Sequence, residues 1–124
     1  MTTPNTTILL VDDVTTNLEI LEDYLEGNGY SLASARDGVD AWAMLERTPD
    51  QFHAVLLDLM MPRMTGMEVL QRMKAHPTLM HVPVIIQTAA TSPTQVSEGL
   101  AAGAHYYLTK PFEKADLLSI LGTA

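Results

Sequence analysis

Short apolar runs alternate with segments of helical period along the whole 124-residue chain, and this alternation restricts the fold to one class. Several runs have no polar interruption, which is typical of strands that are buried on both faces. The predicted strands are Ile8–Val11, Ser31–Ala35, Ala54–Leu57, Val82–Ile86 and Tyr106–Leu108. Apolar residues recur at helical spacing after each run, so we predict five βα units. Strict alternation predicts right-handed crossovers and a parallel sheet with helices on both faces, a three-layer α/β sandwich.

Helix boundaries agree with this count. Asp37-Gly38 predicts a turn into the second helix, and Thr65 is a candidate N-cap for the third. Residues that commonly end helices follow the first, third and fourth helical segments. They are Gly29, Pro77 and Gly103. No segment has the composition of a linker or repeat, so we expect a single domain over residues 1–124 with its core at about 7–121.

Composition and charge exclude several classes of function. Apolar residues make up 47% of the chain and charged residues 18%, as in ordinary folded domains. Acidic residues outnumber basic ones by 15 to 7, and the formal charge of -8 argues against direct binding to nucleic acid or to anionic membranes. The lack of cysteine excludes disulfides and thiolate metal sites. We expect cytoplasmic residence, because the first residues do not form a secretory signal and no apolar run could cross a bilayer.

Polar side chains stand where the predicted strands end. Asp12 and Asp13 follow the first strand and Asp58 follows the third, while Thr88 and Lys110 close the fourth and fifth. Ligands of open parallel sheets bind outside the carboxyl ends of the strands, so we expect these side chains to converge. An isolated Asp-Asp pair often only caps a helix, but three converging carboxylates call for a cation, and oxygen ligands favour Mg²⁺ or Mn²⁺. A carboxylate can then attack a phosphoryl donor whose other oxygens are held by the metal, a lysine and a hydroxyl.

Four motifs, in order and at strand ends, resemble those of the receiver domains of response regulators in two-component signalling. They are Ile8–Asp13, Leu56–Gly66, Val84–Ala89 and Ala102–Phe112. The resemblance extends over nearly the whole chain, from Ile8 to Leu121. It implies a doubly wound (βα)5 sheet with the flavodoxin-like strand order 2-1-3-4-5.

The resemblance implies a role for each residue of the acidic site. Asp58 matches the phosphoacceptor of the family. Asp12 and Asp13 match the acidic pair that holds Mg²⁺, and Asp58 itself and the backbone carbonyl of Met60 complete the implied protein ligands. Lys110 matches the lysine that pairs with the phosphoryl oxygens.

A second set of residues matches the family's conformational switch. Thr88, followed by Ala89, matches the hydroxyl that moves to the phosphate once the aspartate is phosphorylated. Tyr107 matches the aromatic ring that moves with it, with Tyr106 as the competing candidate. Pro111 matches the proline whose preceding peptide bond is cis in this family.

The chain departs from the common family pattern at two positions that bear on the site. Gln87 replaces an apolar residue just before Thr88, so we expect altered packing there. Thr65 stands where many members carry aspartate, but threonine caps a helix as well.

The implied function is a phosphorylation-dependent signalling switch that takes its phosphoryl group from a sensor histidine kinase or a histidine phosphotransfer protein. It is not an enzyme, apart from its own phosphorylation and dephosphorylation. One alternative is a pseudo-receiver that binds partners without phosphoryl control. An aspartate-nucleophile phosphatase would need two aspartates separated by one residue, and a flavodoxin-like cofactor binder would need a phosphate-binding loop in place of Asp12 and Asp13. The cognate kinase, the output target, the oligomeric state, the phosphoryl lifetime, and whether this is a stand-alone regulator or part of a larger protein stay open.

Overall fold

The structure is a computed structural model that describes residues 7–59, 63–89, 93–110 and 112–123. Strands and helices alternate strictly along this part of the chain. The strands are β1 (Thr7–Val11), β2 (Ser31–Ala35), β3 (Phe52–Asp58), β4 (Val84–Ala89) and β5 (Tyr106–Lys110). The helices are α1 (Thr15–Leu25), α2 (Gly38–Arg47), α3 (Gly66–Lys74), α4 (Pro93–Ala101) and α5 (Lys114–Thr123).

The five strands form one parallel sheet in the order β2-β1-β3-β4-β5, as the family resemblance implied. Because strand order reverses beside β1, a crevice opens at the carboxyl edge between β1 and β3. The predicted α/β class and strand order are confirmed.

Each face of the sheet has its own hydrophobic core. On one face, buried leucines of α1 and α5 pack on alternate residues of β1 and β3. On the other face, α2 and α3 pack on the intervening residues of the same strands. Gly99 of α4 lies against Ile86 of β4, which points to the same side as Val84 in the α2–α3 core. The apolar runs of the sequence are continuous because both faces of the strands are buried.

Side chains cap the starts of two helices, and the cap at Thr65 was predicted from the sequence. The side chain of Asp37 accepts a hydrogen bond from the backbone N–H of Asp40 at 2.8 Å, at the start of α2. Thr65 accepts from the backbone N–H of Glu68 at 3.3 Å, at the start of α3. Each cap satisfies a backbone donor that the first turn of a helix leaves unpaired.

Some boundaries differ from the prediction. Strand β4 begins at Val84 and not at Val82, because the chain before it forms a 3-10 turn over Leu79–His81 and Pro83 has no N–H to donate. Helix α1 ends at Leu25, before the stop that was predicted at Gly29. Gly27 already has a φ of 78°, outside the helical range. No helix in the described part of the chain is long and apolar enough to cross a membrane.

Candidate functional site at the carboxyl edge of the sheet

Three carboxylates meet at the carboxyl edge of the two central strands. Asp12 and Asp13 follow β1, and Asp58 is the last residue of β3. Val11 of β1 is paired with Leu57 of β3, so the next residues of the two strands lie side by side. One oxygen from each of the three carboxylates lies within 4.8 Å of the other two. The structure thus brings together the three aspartates that the sequence placed at these strand ends.

Several hydrogen bonds hold Asp12 in place. Its side chain is fully buried, and Oδ1 accepts a hydrogen bond from the backbone N–H of Val14 at 2.9 Å. Oδ2 accepts from Nδ2 of Asn17 at 3.2 Å and from Nζ of Lys110 at 2.8 Å. A buried carboxylate is tolerated only when it is paired in this way, and the bonds also fix its orientation.

Lys110 brings a positive charge from the end of β5 into the same site. Its Nζ lies 2.8 Å from Oδ2 of Asp12 and 3.5 Å from Oδ2 of Asp58. The side chain is 27% exposed, against 0% for Asp12 and 13% for Asp58, so these ion pairs are better shielded from water than surface pairs. Lys110 pairs with two of the three carboxylates, so the cluster keeps an excess of negative charge among the described residues.

The donor set suits a small, hard cation. The clustered ligand atoms of Asp12, Asp13 and Asp58 are all carboxylate oxygens. Oxygens bound to one Mg²⁺ lie roughly 3 to 4 Å apart, since each Mg–O bond is about 2.1 Å. The observed upper limit of 4.8 Å is close to that spacing.

Gly66 allows the start of α3 to approach the backbone at the end of β3 closely. A Cβ atom at this position would lie 2.2 Å from the backbone carbonyl oxygen of Asp58 and 2.7 Å from Cα of Leu59. The N–H of Gly66 donates to the carbonyl of Leu59 at 3.2 Å. The first turn of α3 therefore touches the end of β3, and any side chain here would push the two elements apart.

The remaining predicted site residues are described only in part. The backbone of Thr88 and Ala89 belongs to β4, where these residues pair with Thr109 and Lys110 of β5. This register places the end of β4 at the carboxyl edge of the sheet, where Lys110 also lies. Met60 and Pro111 lie outside the described residues.

The two neighbouring tyrosines of β5 face opposite sides of the sheet. Tyr106 is half-buried and packs against the core under α1 and α5. Tyr107 is paired with Ile86, the residue that Gly99 of α4 contacts, and its side chain is 47% exposed. Tyr107 is therefore the tyrosine on the α4 side of the sheet.

Comparison with known proteins assigns the chain to a family. The family model described as the response regulator receiver domain matches residues 8–122. This chain belongs to the response regulator receiver family. The receiver domain is 40% identical to the response regulator PleD of Caulobacter vibrioides over 113 residues and 42% identical to the response regulator MprA of Mycobacterium leprae over 112 residues. Each alignment covers 90% of the receiver domain.

Solved structures agree with this assignment. The receiver domain of the sensor histidine kinase PA1611 from Pseudomonas aeruginosa, with a magnesium ion coordinated in its active site cleft, is 32% identical with a TM-score of 0.86, covering 96% of each chain. The chemotaxis protein CheY4 of Vibrio cholerae is 31% identical with a TM-score of 0.85, covering 95% of this receiver domain and 97% of that chain. The receiver domain covers 24% of the length of PleD and 47% of that of MprA, less than half of each.

Two polar contacts of this receiver domain were not predicted from its sequence. Asn17 donates to Asp12, and its place in the first turn of α1, five residues after Asp12, was the available signal. Arg63 has a φ of 66° and its Nε lies 3.2 Å from Oδ2 of Asp37, which ties the loop after β3 to the start of α2. Positive φ at an arginine has no sequence signature, because glycine, asparagine and aspartate are the residues that favour it.

Proposed function

We propose that this receiver domain is a phosphorylation-dependent signalling switch in which Asp58 accepts a phosphoryl group. The observation that carries the proposal is the position of Lys110, whose ammonium lies between the carboxylates of Asp12 and Asp58 at the edge where ligands of such sheets bind. Asp58 is the more accessible of these two carboxylates, and Asp12 is fully buried. Of the two, Asp58 is thus the one that a phosphoryl donor can reach.

Magnesium is the proposed cofactor, with Mn²⁺ as a substitute. Asp12, Asp13 and Asp58 supply the carboxylate ligands, and the backbone carbonyl of Met60 is the further ligand that the family resemblance implies. The excess negative charge of the cluster favours such a cation. When bound, the metal neutralises charge on the phosphoryl oxygens during transfer.

The residues of the chain have separate tasks in the proposed transfer. An oxygen of Asp58 attacks the phosphorus atom as the bond from phosphorus to the histidine nitrogen of the donor breaks, which leaves an aspartyl phosphate and a neutral histidine after proton uptake. Lys110 already lies 3.5 Å from Asp58 and is placed to pair with the phosphoryl oxygens. The proposed catalysis is limited to phosphorylation and dephosphorylation of this one side chain.

The proposed switch uses Thr88, Ala89 and Tyr107. Thr88 and Ala89 end β4 beside β5, which is where a phosphate on the end of β3 would be contacted. Tyr107 is preferred over Tyr106 because it lies on the α4 side with a half-exposed ring, while Tyr106 is packed in the other core. Movement of Tyr107 would alter the surface formed by α4, β5 and α5, and partners would respond to that change. The cis bond before Pro111 stays a prediction.

The proposed partners are a sensor histidine kinase or a histidine phosphotransfer protein as donor, and a protein target or an attached output domain as receiver of the signal. The relatives PleD and MprA are longer than this chain, which agrees with an output located elsewhere. Cytoplasmic residence also stays a prediction, and cell fractionation would test it.

Intact-mass measurement after incubation with acetyl phosphate tests the proposal. We expect a magnesium-dependent adduct of one phosphoryl group on the wild-type domain. The adduct should disappear in Asp58→Asn and persist in Asp50→Asn, which makes the same chemical change at an exposed position. Chelation of the metal should abolish it in every variant.

A failure would also be informative. If no adduct forms, and beryllofluoride with magnesium leaves the spectrum of the folded protein unchanged, the site does not accept phosphoryl groups. The domain would then be a pseudo-receiver. An adduct of equal yield in Asp58→Asn would move the phosphoacceptor to another residue.

A further inference from the structure

A second concave site lies beside the acidic cluster, between α1 and the end of β5. The pocket has a volume of about 270 Å³. Its walls are mainly apolar or aromatic, with two polar side chains from the strands and one, that of Asn17, from α1. The lining residues are Asn17, Ile20, Leu21, Tyr24, Gln87, Lys110 and Phe112. Its size is just below the usual range for ligand sites and suits a small molecule.

Gln87 makes this pocket unusual. Its side chain is buried, with 1% exposure, and its Nε2 atom has no hydrogen-bond partner within the described parts of the chain. Exchanging the amide oxygen and nitrogen would only leave the oxygen in that position. Burying an amide without a partner is energetically unfavourable, and native structures contain few such groups. An apolar side chain would avoid this cost, so the amide needs an explanation.

Contacts between side chains link the walls around Gln87. Tyr24 donates its hydroxyl to the carbonyl oxygen of Phe112 at 3.4 Å, and the two rings meet edge to face with centroids 6.3 Å apart. Leu21 is buried in the core below, while Ile20 is 44% exposed at the entrance. A ligand would therefore meet an aromatic and aliphatic cavity, and rotation of the Gln87 side chain would bring its covered amide to the wall of that cavity.

We propose that this pocket binds a small neutral molecule with an aromatic or aliphatic body and a carbonyl oxygen that accepts a hydrogen bond from Nε2 of Gln87. The apolar walls select the body, and the unpaired donor selects the acceptor. A neutral ligand is favoured over an anion because the cation of the pocket, Lys110, is already bonded to Asp12 and Asp58. The third carboxylate of that cluster would repel a further negative charge. The proposal does not depend on phosphorylation of Asp58.

Titration of the metal-free wild-type domain with N-methylbenzamide, followed by NMR, tests the proposal. We expect saturable shifts of the side-chain amide of Gln87 and of the methyl groups of Ile20 and Leu21. The variant Gln87→Leu should bind the same probe about five- to tenfold more weakly, the loss expected for one hydrogen bond to a buried donor. Gln71→Leu, the same change on the exposed side of α3, should leave the affinity unchanged.

Two further probes separate the contributions of body and acceptor. Toluene lacks the acceptor and should bind Gln87→Leu at least as well as the wild type. Benzoate has the same ring with a negative charge and should bind the wild type more weakly than N-methylbenzamide. The proposal is overturned if N-methylbenzamide gives no saturable shifts, if Gln87→Leu binds it as tightly as the wild type, or if benzoate binds more tightly. Because no metal or phosphoryl donor is present, these results are independent of whether Asp58 accepts phosphate.

Discussion

Replacing Asp13 by asparagine should stabilise the metal-free domain. The carboxylate of Asp13 has an oxygen within 4.8 Å of oxygens of Asp12 and Asp58, while the described ion pairs of Lys110 go to those two aspartates. Asparagine keeps the shape of the side chain and removes the charge. The variant thus loses two repulsions and none of the described ion pairs.

The distances set the size of the effect. At 4.8 Å, two unit charges repel by about 0.9 kcal/mol in the dielectric of water and by about 3.5 kcal/mol at an effective dielectric of 20. Asp13 is partly exposed, so a value near the lower limit applies to each of its two pairs. We expect a gain of about 2 kcal/mol in the free energy of unfolding, which corresponds to a rise in Tm of roughly 6 to 10 °C for a domain of this size.

Urea denaturation and thermal melts in chelator-treated buffer would measure this gain. Asp23→Asn is the matched control, because Asp23 lies on the exposed face of α1 and its loss changes the net charge equally. Excess magnesium should reduce or reverse the difference in stability between the Asp13 variant and the wild type. A bound ligand at 100 times its Kd stabilises the wild type by about 2.7 kcal/mol, and the variant gains less because it has lost a carboxylate ligand. Equal stabilisation by the Asp13 and Asp23 variants would refute the close repulsion inferred here.

Three further predictions follow from contacts of the described residues. Gly66→Ala should lower the free energy of unfolding by about 1 to 3 kcal/mol in urea denaturation, because its Cβ would lie 2.2 Å from the last carbonyl oxygen of β3, whereas Gly122→Ala, with no atom within 4 Å, should not destabilise the domain. Thr65→Ala should cost about 1 kcal/mol in the same assay and Thr65→Ser much less, since serine keeps the cap; equal losses would contradict the capping role. Burial, and secondarily the charge of Lys74, lowers the pKa of His105 below 6.5. The folded state therefore favours the neutral ring. The stability that this ring contributes is present above pH 6.5 and is lost as the pH falls through the lowered pKa. His105→Gln should reduce this loss in melts between pH 7 and pH 5, and an unchanged pH profile would contradict it.

The fold could be predicted from the sequence because the spacing of apolar residues and the positions of residues that end helices and strands agree throughout the chain. Runs such as Ile8–Val11 are apolar on both faces, and a strand with that pattern needs helices on both sides of the sheet. Strand ends were harder to place. Hydrogen bonding extends β5 to Lys110, two residues beyond the apolar run, because the register with β4 continues there.

The site was predictable at the level of strand ends and not at the level of side-chain partners. The convergence of Asp12 and Asp58 follows from parallel strands that end at one edge. The bond from Asn17 to Asp12 depends on the rotation of α1 about its axis, which packing determines. Gln87 stood out as an unusual residue, but its unpaired amide and the pocket beside it required three-dimensional packing.

The last helix closes the core that the first strand begins. Ile8 and Leu10 of β1 share one core with Leu117 and Leu121 of α5, at opposite ends of the chain. During synthesis, the ribosome releases β1 and α1 long before α5, so only α1 can cover this face of the sheet until α5 has emerged. The α2–α3 core contains no described residue of α5, so the chain that it needs is synthesised earlier than the chain needed by the α1–α5 core.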